Sequence, residues 1–336
     1  MTTYPARVDG RDTSVTVTPE GLDLPDRSIP WHAVDTLADD GIRLVLGVAE
    51  GVAGSPTTVE IGHLGAQRDG VAQQMREARG VARRASLGQA NLEVAETFES
   101  RGAHGVADIT ALPHGLIIEP RGALATFVPW GLVADAARDG YRFTLVLRFG
   151  SDVVVAGLGR RSDEFAEVVS RLRSDLRRSA RAAVQPWNVS DLPWEDGWAL
   201  TDPGAVDAWL SRLDEVESVV LREACDDLRA GIFTEGGKQD LPFIIARCGD
   251  SRVLVEGVGD EDRATFVFDS GDVARVNAAL LLVSFRRDLL ALPEPELGRW
   301  AAAIRTQPDV AWLRSVLHAR VIHDDRWGPG IREAAT

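Results

Sequence analysis

Alternating apolar and polar residues in short runs dominate the first half of the chain, and each group of runs ends in a longer stretch with helical spacing. Ser14-Val15-Thr16-Val17-Thr18 alternates and is rich in β-branched residues, which predicts a half-buried strand. Pro19-Glu20-Gly21 predicts a turn, and Leu22-Asp23-Leu24 resumes the alternation as the return strand of a hairpin. Short strands follow around 34–37, 42–48 and 57–61, the first two joined by the tight turn Asp39-Asp40-Gly41. From Gln67 to Arg84 the period changes: Val71, Met75 and Ala78 recur at spacings of four and three, which predicts a helix.

The same succession then returns. Strands are predicted at 109–111, 116–118, 125–128, 141–149 and 152–156, with a turn at Pro113-His114-Gly115. A helix from Ser162 to Ala183 carries Phe165, Val168, Val169 and Leu172 on one face. The copies share residues as well as order. Ile29-Pro30-Trp31-His32-Ala33-Val34 leads to Asp40-Gly41-Ile42-Arg43, and Val128-Pro129-Trp130-Gly131-Leu132-Val133 leads to Asp139-Gly140-Tyr141-Arg142 at identical spacing. Leu64-Gly65 and Asp69 are echoed by Leu158-Gly159 and Asp163. An internal repeat of this kind makes the N-terminal half one module used twice. The Ala- and Glu-rich segment between them is expected to be partly helical.

From Pro186 the pattern changes again. Trp187, Trp194 and Trp198 crowd a Pro- and acid-rich stretch that marks a boundary. Asp202-Pro203-Gly204 predicts a helix start through Trp209 and Leu213. Residues 216–228 read as a helix or a strand–helix pair. Strands are predicted at 243–246, 252–255 and 264–268, and helices at 272–285 (capped by Asp272), 295–305 and 309–322, with a disordered tail after Trp327.

Bulk properties narrow the function classes. With 336 residues, 45% hydrophobic and 26% charged, the chain has the composition of a soluble globular protein of two to three domains. No apolar run is long enough to cross a membrane and the first residues carry no signal-type segment, so a cytoplasmic location is expected. The two cysteines, Cys225 and Cys248, are expected to be reduced and buried, without zinc-type spacing. The net charge of −14 is uneven: residues 1–100 hold 9 basic against 15 acidic groups, 101–185 hold 12 against 9, and 186–336 hold 16 against 27. An acidic chain is poorly suited to wide contact with nucleic acid or anionic lipid, and only the middle segment is a candidate for local contact. Lys238 is the sole lysine among the basic residues.

The repeated hydrophobic-Pro-Trp phrase, followed twice by strands and one closing helix, resembles bacterial pleckstrin-homology-like (PH-like) domains over residues 10–185. The resemblance implies an α+β protein with two PH-like antiparallel β-barrel or sandwich modules, 10–84 and 106–184, separated by a linker at 85–105. An α+β C-terminal domain at 186–328 is compatible with a diverged third module. In such a frame Pro30 and Pro129 start a strand or lie at an edge, and Trp31 and Trp130 are structural anchors beneath the closing helix. The resemblance also implies recognition of proteins, peptides or lipid headgroups rather than catalysis.

Motifs of chemistry are sparse. Gly231 to Gln239 superficially suggests a phosphate loop, but the Gly-to-Gly-Lys spacing is one residue too long and Gln239 stands where Ser or Thr is needed. His318 and His323 lie five apart, not the four of a one-face metal pair, and His32 and His114 stand at unmatched positions of the repeats. Glu256, Asp260, Glu261, Asp262 and Asp269 form a carboxylate-rich hairpin that reads as a solvated turn. No catalytic residue, metal or cofactor is assigned. The charge feature of interest is a basic ridge on the second module's helix: Arg171, Arg173, Arg177, Arg178 and Arg181, with Arg160 and Arg161 just before it. It is read as a solvated face partly paired with Asp163, Glu164, Glu167 and Asp175, or as a binding surface. The expected function is a non-enzymatic binding or scaffold protein with another protein as partner, and with the second module docking on the acidic C-terminal domain. The alternatives are an anionic-headgroup or nucleic-acid binder through the ridge, and an enzyme built on His318, His323 or the carboxylate hairpin.

Overall fold

Each of the first two modules is seven antiparallel strands closed by one long helix, and the third part is a six-stranded sheet with helices on both faces. The computed structural model describes residues 2–49, 58–86, 94–102, 105–120, 123–234, 240–259, 264–293 and 296–336. No helix among them is long and apolar enough to cross a membrane.

In the first module, β1 (Thr2–Val8), β2 (Arg11–Val17), β3 (Gly21–Asp23), β4 (Ser28–Pro30), β5 (Val34–Asp39), β6 (Leu44–Val48) and β7 (Thr58–Gly62) form one sheet in the order β4-β3-β2-β1-β7-β6-β5. Period-two alternation turns Tyr4, Ala6, Val8, Val15, Leu44 and Leu46 inward. Helix α1 (Arg68–Ser86) closes that core with Val71, Ala72 and Met75.

The second module repeats this as β8 (Glu96–Gly102), β9 (Gly105–Leu112), β10 (Gly115–Pro120) and β11 (Thr126–Pro129), then β12 (Val133–Asp139), β13 (Arg142–Leu147) and β14 (Val153–Ala156), under α2 (Ser162–Val184). Here the four-stranded and three-stranded sheets are separate ladders. The Ser100 hydroxyl bridges them by donating to the Ala156 carbonyl at 2.6 Å. Among the described residues, none of the sheets closes into a barrel.

The Pro-Trp phrase has a definite job. In each copy proline ends a strand and the next three residues make a 3-10 turn. Trp31 and Trp130 are 1% and 3% exposed, so each contributes nearly its whole area to a core. The polar end is satisfied as well: Trp31 Nε1 donates to the Thr18 carbonyl at 2.9 Å, and Trp130 Nε1 donates to the Leu112 carbonyl at 2.9 Å. Gly21 and Gly115 let the proline strand approach. A Cβ on either would sit 2.4 Å from a carbonyl oxygen of that strand. The ladder after the turn is irregular in both copies, between Val34 and Thr36 and between Val133 and Asp135.

The C-terminal region begins with β15 (Ala199–Leu200), α3 (Pro203–Leu210) and α4 (Glu215–Ala224). Then come β16 (Asp227–Phe233), β17 (Leu241–Cys248), β18 (Arg252–Gly257), β19 (Ala264–Phe268), α5 (Val273–Leu282), α6 (Asp288–Ala291), α7 (Ala301–Thr306), α8 (Pro308–Ser315), β20 (Leu317–Ile322) and α9 (Trp327–Ala335). The sheet is a sequential meander from β15 to β20. Trp209, Leu221 and Ile331 pack on one face with Ile232, Ile244 and Leu254, while Val276, Leu280 and Leu313 pack on the other with Phe243, Ile245 and Val253. Burial on both faces explains why Phe243-Ile244-Ile245-Ala246 is apolar throughout rather than alternating. One six-stranded sheet covered on both faces differs from the seven strands under one helix of each module.

Several elements depart from the sequence reading. Strand β1 precedes the expected start at residue 10, pairing with β2 across Asp9-Gly10, both at positive φ. Strand β8 occupies part of the segment 85–105 read as a partly helical linker, where Phe98 and Ser100 turn inward. The helix predicted over 309–322 stops at Ser315, and 317–322 pair with β19, because their period is two. The tail after Trp327 is helix α9, anchored by buried Trp327, Ile331 and Ala334. The segment 216–228 is a helix followed by the start of β16. The end of the phosphate-loop segment, 235–239, and the hairpin tip, 260–263, lie outside the described residues.

Candidate functional site

The arginines of α2 do not form one ridge. At about 100° per residue, Arg173, Arg177 and Arg181 follow one stripe at spacing four, and Arg171 and Arg178 follow another at spacing seven. Both stripes lie on the side of the helix away from the buried Phe165, Val169, Leu172 and Leu176, with the exposed Glu167, Ser170 and Ser174 between them. Arg161 is held by Glu164 (2.7 Å) and Glu96 (3.0 Å), and stacks over Phe98. Its guanidinium is therefore pushed above its ordinary value. Arg178 pairs with Asp175 at 3.1 Å. Asp163 takes Arg138 from β12 instead of a helix neighbour. Among the described residues, Arg160, Arg171 and Arg181 have no carboxylate partner and are exposed.

Arg173 is a structural member of the repeat. It donates to the carbonyls of Val133 (2.9 Å) and Ala134 (3.0 Å), where the ladder is irregular after the Pro-Trp turn. Arg79 does the same in the first module, donating to Val34 (3.1 Å) and Asp35 (2.6 Å). Each stands ten residues after its repeat aspartate, Asp69 or Asp163. A guanidinium, with several N–H donors in one plane, can serve two adjacent carbonyls at once.

Beside Arg173 the copies diverge. Between β12, β13 and α2 lies a cleft of about 270 Å³, lined by Ala136, Arg138, Phe143, Val169, Arg173 and Arg177. At the matching places in the first module stand Leu37 for Ala136, Met75 for Val169 and Asp39 for Arg138. Leu37 and Met75 are buried, and Arg76 and Arg68 reach across to Asp39 at 3.7 and 3.9 Å. Larger apolar side chains and ion pairs therefore occupy that space in the first copy. In the second, Ala136 and Val169 are smaller than their counterparts, Phe143 is larger than Leu44, and arginines stand at the rim. Burial, followed by the charge of Arg177, lowers the guanidinium of Arg173 below its ordinary value. Asp163 pairs with Arg138, Glu195 with Arg177, and Asp135 offsets part of the charge around Arg173.

One acidic residue pairs with an arginine of the cleft's rim. Glu195 pairs with Arg177 at 3.5 Å and with Arg148. It belongs to a clasp, Trp194 to Trp198, joining the second module to the C-terminal region. Trp194 stacks on Trp209 with centroids 5.0 Å apart. Asp196 accepts from the Thr234 amide (2.6 Å) and hydroxyl (2.9 Å). Burial pushes the Asp196 carboxyl up to about 7 against those hydrogen bonds. Trp198 Nε1 donates to the Gly131 carbonyl. The carbonyl at the matching place in the first module, His32, accepts from Arg305 at 2.9 Å, and Arg305 also pairs with Asp35 at 3.1 Å. The C-terminal region thus grips the same turn in both modules. One ridge residue, Arg177, takes part by ion pair, while Leu132, Ala180 and Val184 enter the C-terminal cores.

The histidine and carboxylate candidates are arranged differently from their sequence grouping. His318 lies near Asp269 at 3.3 Å on the surface, away from His323. His323 is sealed between Glu217 (Nδ1, 2.7 Å) and Glu256 (Nε2, 3.1 Å), while Thr265 donates to Glu256 and accepts from Trp327 Nε1 at 2.7 Å. Glu256 is 2% exposed, so it is not part of a solvated turn. Glu217 escaped the sequence reading because its partner is distant in the chain; the Asp214-x-x-Glu217 capping box was the available signal. Among the described residues, no group of three or more His, Cys, Asp or Glu is arranged to hold a metal. His114 is buried without a hydrogen-bond partner on either ring nitrogen, and burial lowers it to about 4. Cys225 and Cys248 are free, buried and adjacent. A hydrogen bond from Cys248 and burial push the Cys225 thiol up, away from nucleophilic use.

No protein-family model matches the sequence, and no curated protein matches it.

Proposed function

We propose that the chain is a non-enzymatic binding protein with two PH-like modules, the second of which receives an extended acidic segment of a partner protein between β12 and α2. The observation that carries this reading is the cleft itself. It lies where the first copy carries the larger Leu37 and Met75, and it is rimmed by Arg138, Arg173 and Arg177. Glu195, paired with Arg177 beside the cleft, shows that this rim arginine accepts a carboxylate. The neighbouring β12 is an edge strand, able to take an extended segment alongside it. The four-then-three strand order under one helix, twice, supports the PH-like assignment. With Arg161, Arg173, Arg177 and Arg178 already partnered, few arginines of the helix remain for a flat anionic surface, which favours a narrow segment. A catalytic role for His323 and Glu256 is disfavoured by their burial within a closed hydrogen-bond network.

Fluorescence anisotropy with a labelled peptide alternating Glu and Val tests the proposal. Saturable, salt-sensitive binding is expected, with little binding of the Gln-for-Glu peptide. Equal binding of the two peptides would overturn it.

A further inference from the structure

A second cleft, of about 420 Å³, lies in the C-terminal region, on the side of the sheet where α2 ends. Its floor is apolar: Ile232 and Val258 are 1% and 3% exposed, with Pro242 and Ala183 beside them. One wall is Trp187, whose ring packs against Trp209 with centroids 4.4 Å apart. Trp209 is in turn fixed by its Nε1 bond to the Gly231 carbonyl at 2.8 Å, so this wall is rigid. A volume of this size suits a small organic molecule.

Two charges of opposite sign also line this cleft. Arg212 lies with its guanidinium carbon 4.3 Å from the Trp187 ring centroid, which leaves its N–H groups for another acceptor. Asp240 has no ion pair or hydrogen bond among the described residues, and burial raises its carboxyl above the ordinary value. The two do not pair with each other, although they line one space. Both charged side chains are exposed and reached by water, and a ligand with an apolar body and one charge of each sign would match the floor and both groups at once.

We propose that this cleft binds a small zwitterion with an apolar side group, an amino acid or a short peptide. Its carboxylate faces Arg212, its ammonium faces Asp240, and its side group rests on Ile232, Pro242 and Val258. The proposal is independent of the groove in the second module.

Isothermal titration calorimetry on the full chain, with leucine and phenylalanine as probes, tests it. Saturable binding is expected for the free amino acids. N-acetyl-leucine, which lacks the cation, and leucinamide, which lacks the anion, should each bind at least about tenfold more weakly. Arg212→Gln and Asp240→Asn should each weaken leucine binding by a similar factor, with circular dichroism unchanged. Absence of saturable binding by either amino acid would overturn the proposal. So would equal binding of the singly charged analogues, or binding indifferent to both substitutions.

Discussion

The Nδ1 atom of His323 lies 2.7 Å from a carboxylate oxygen of Glu217, a residue 106 positions earlier in the chain. With Glu256 on the other ring nitrogen, the imidazole joins α4, β18 and the end of β20 in one buried network. Burial opposes the charged ring, and the hydrogen bonds and charges of Glu256 and Glu217 outweigh it, so His323 titrates above its ordinary 6.5. A raised value in the fold means that the stabilisation is complete below about pH 6.5 and is lost as the pH rises through the higher folded value. Urea unfolding from pH 6 to 9 should show this decline, and His323→Gln should flatten it. The substitution should also cost about 3–5 kcal/mol at pH 6, since it leaves buried carboxylates without their cation.

Asp196 contributes in the same direction over a lower range. Its carboxyl is raised from 3.8 to about 7, so folding favours the protonated form. Stability from this group is therefore full below about pH 4 and falls until about pH 7, by at most roughly 4 kcal/mol. Asp196→Asn keeps an acceptor for the two Thr234 donors and removes the titration. The variant should be more stable than the parent at pH 8 and close to it at pH 4, as read from denaturant midpoints.

Gly131 carries the contact that distinguishes the two Pro-Trp turns. A Cβ there would lie 2.2 Å from the Asp196 carbonyl oxygen, whereas the first copy holds His32 at the same place. Gly131→Ala should loosen the clasp, and limited proteolysis should then cut first between the second module and the C-terminal region. His32→Gly should leave that cleavage pattern unchanged.

Trp31 and Trp130 should each cost about 3–5 kcal/mol when replaced by Ala, because both are buried and both cap a carbonyl. Differential scanning calorimetry of the two variants should show comparable losses, since the turns are built alike.

The repeat, the closing helices and the Asp272 cap of α5 were legible because their signals are local: period, turn residues and a side chain bonding three residues on. Strand β8 was less legible because Ala and Glu around it favour helix, and pairing with β9 overrides that preference. Residues 317–322 carried period two but followed a helix without a break. At the site, the arginines could be counted but not sorted, since Arg173 is committed to backbone carbonyls by a partner strand some forty residues away. The cleft beside it was invisible for a different reason. It exists through what Ala136 and Val169 do not fill, and only comparison with Leu37 and Met75 in the folded first copy makes that plain.

That comparison supplies the most direct measurement. Ala136→Leu restores the first copy's residue, fills the cleft and leaves every charge in place. Anisotropy titration of the Glu-Val peptide against this variant should show affinity reduced at least about tenfold, with the melting temperature preserved. Unchanged affinity in a folded Ala136→Leu protein would contradict the groove as the binding site.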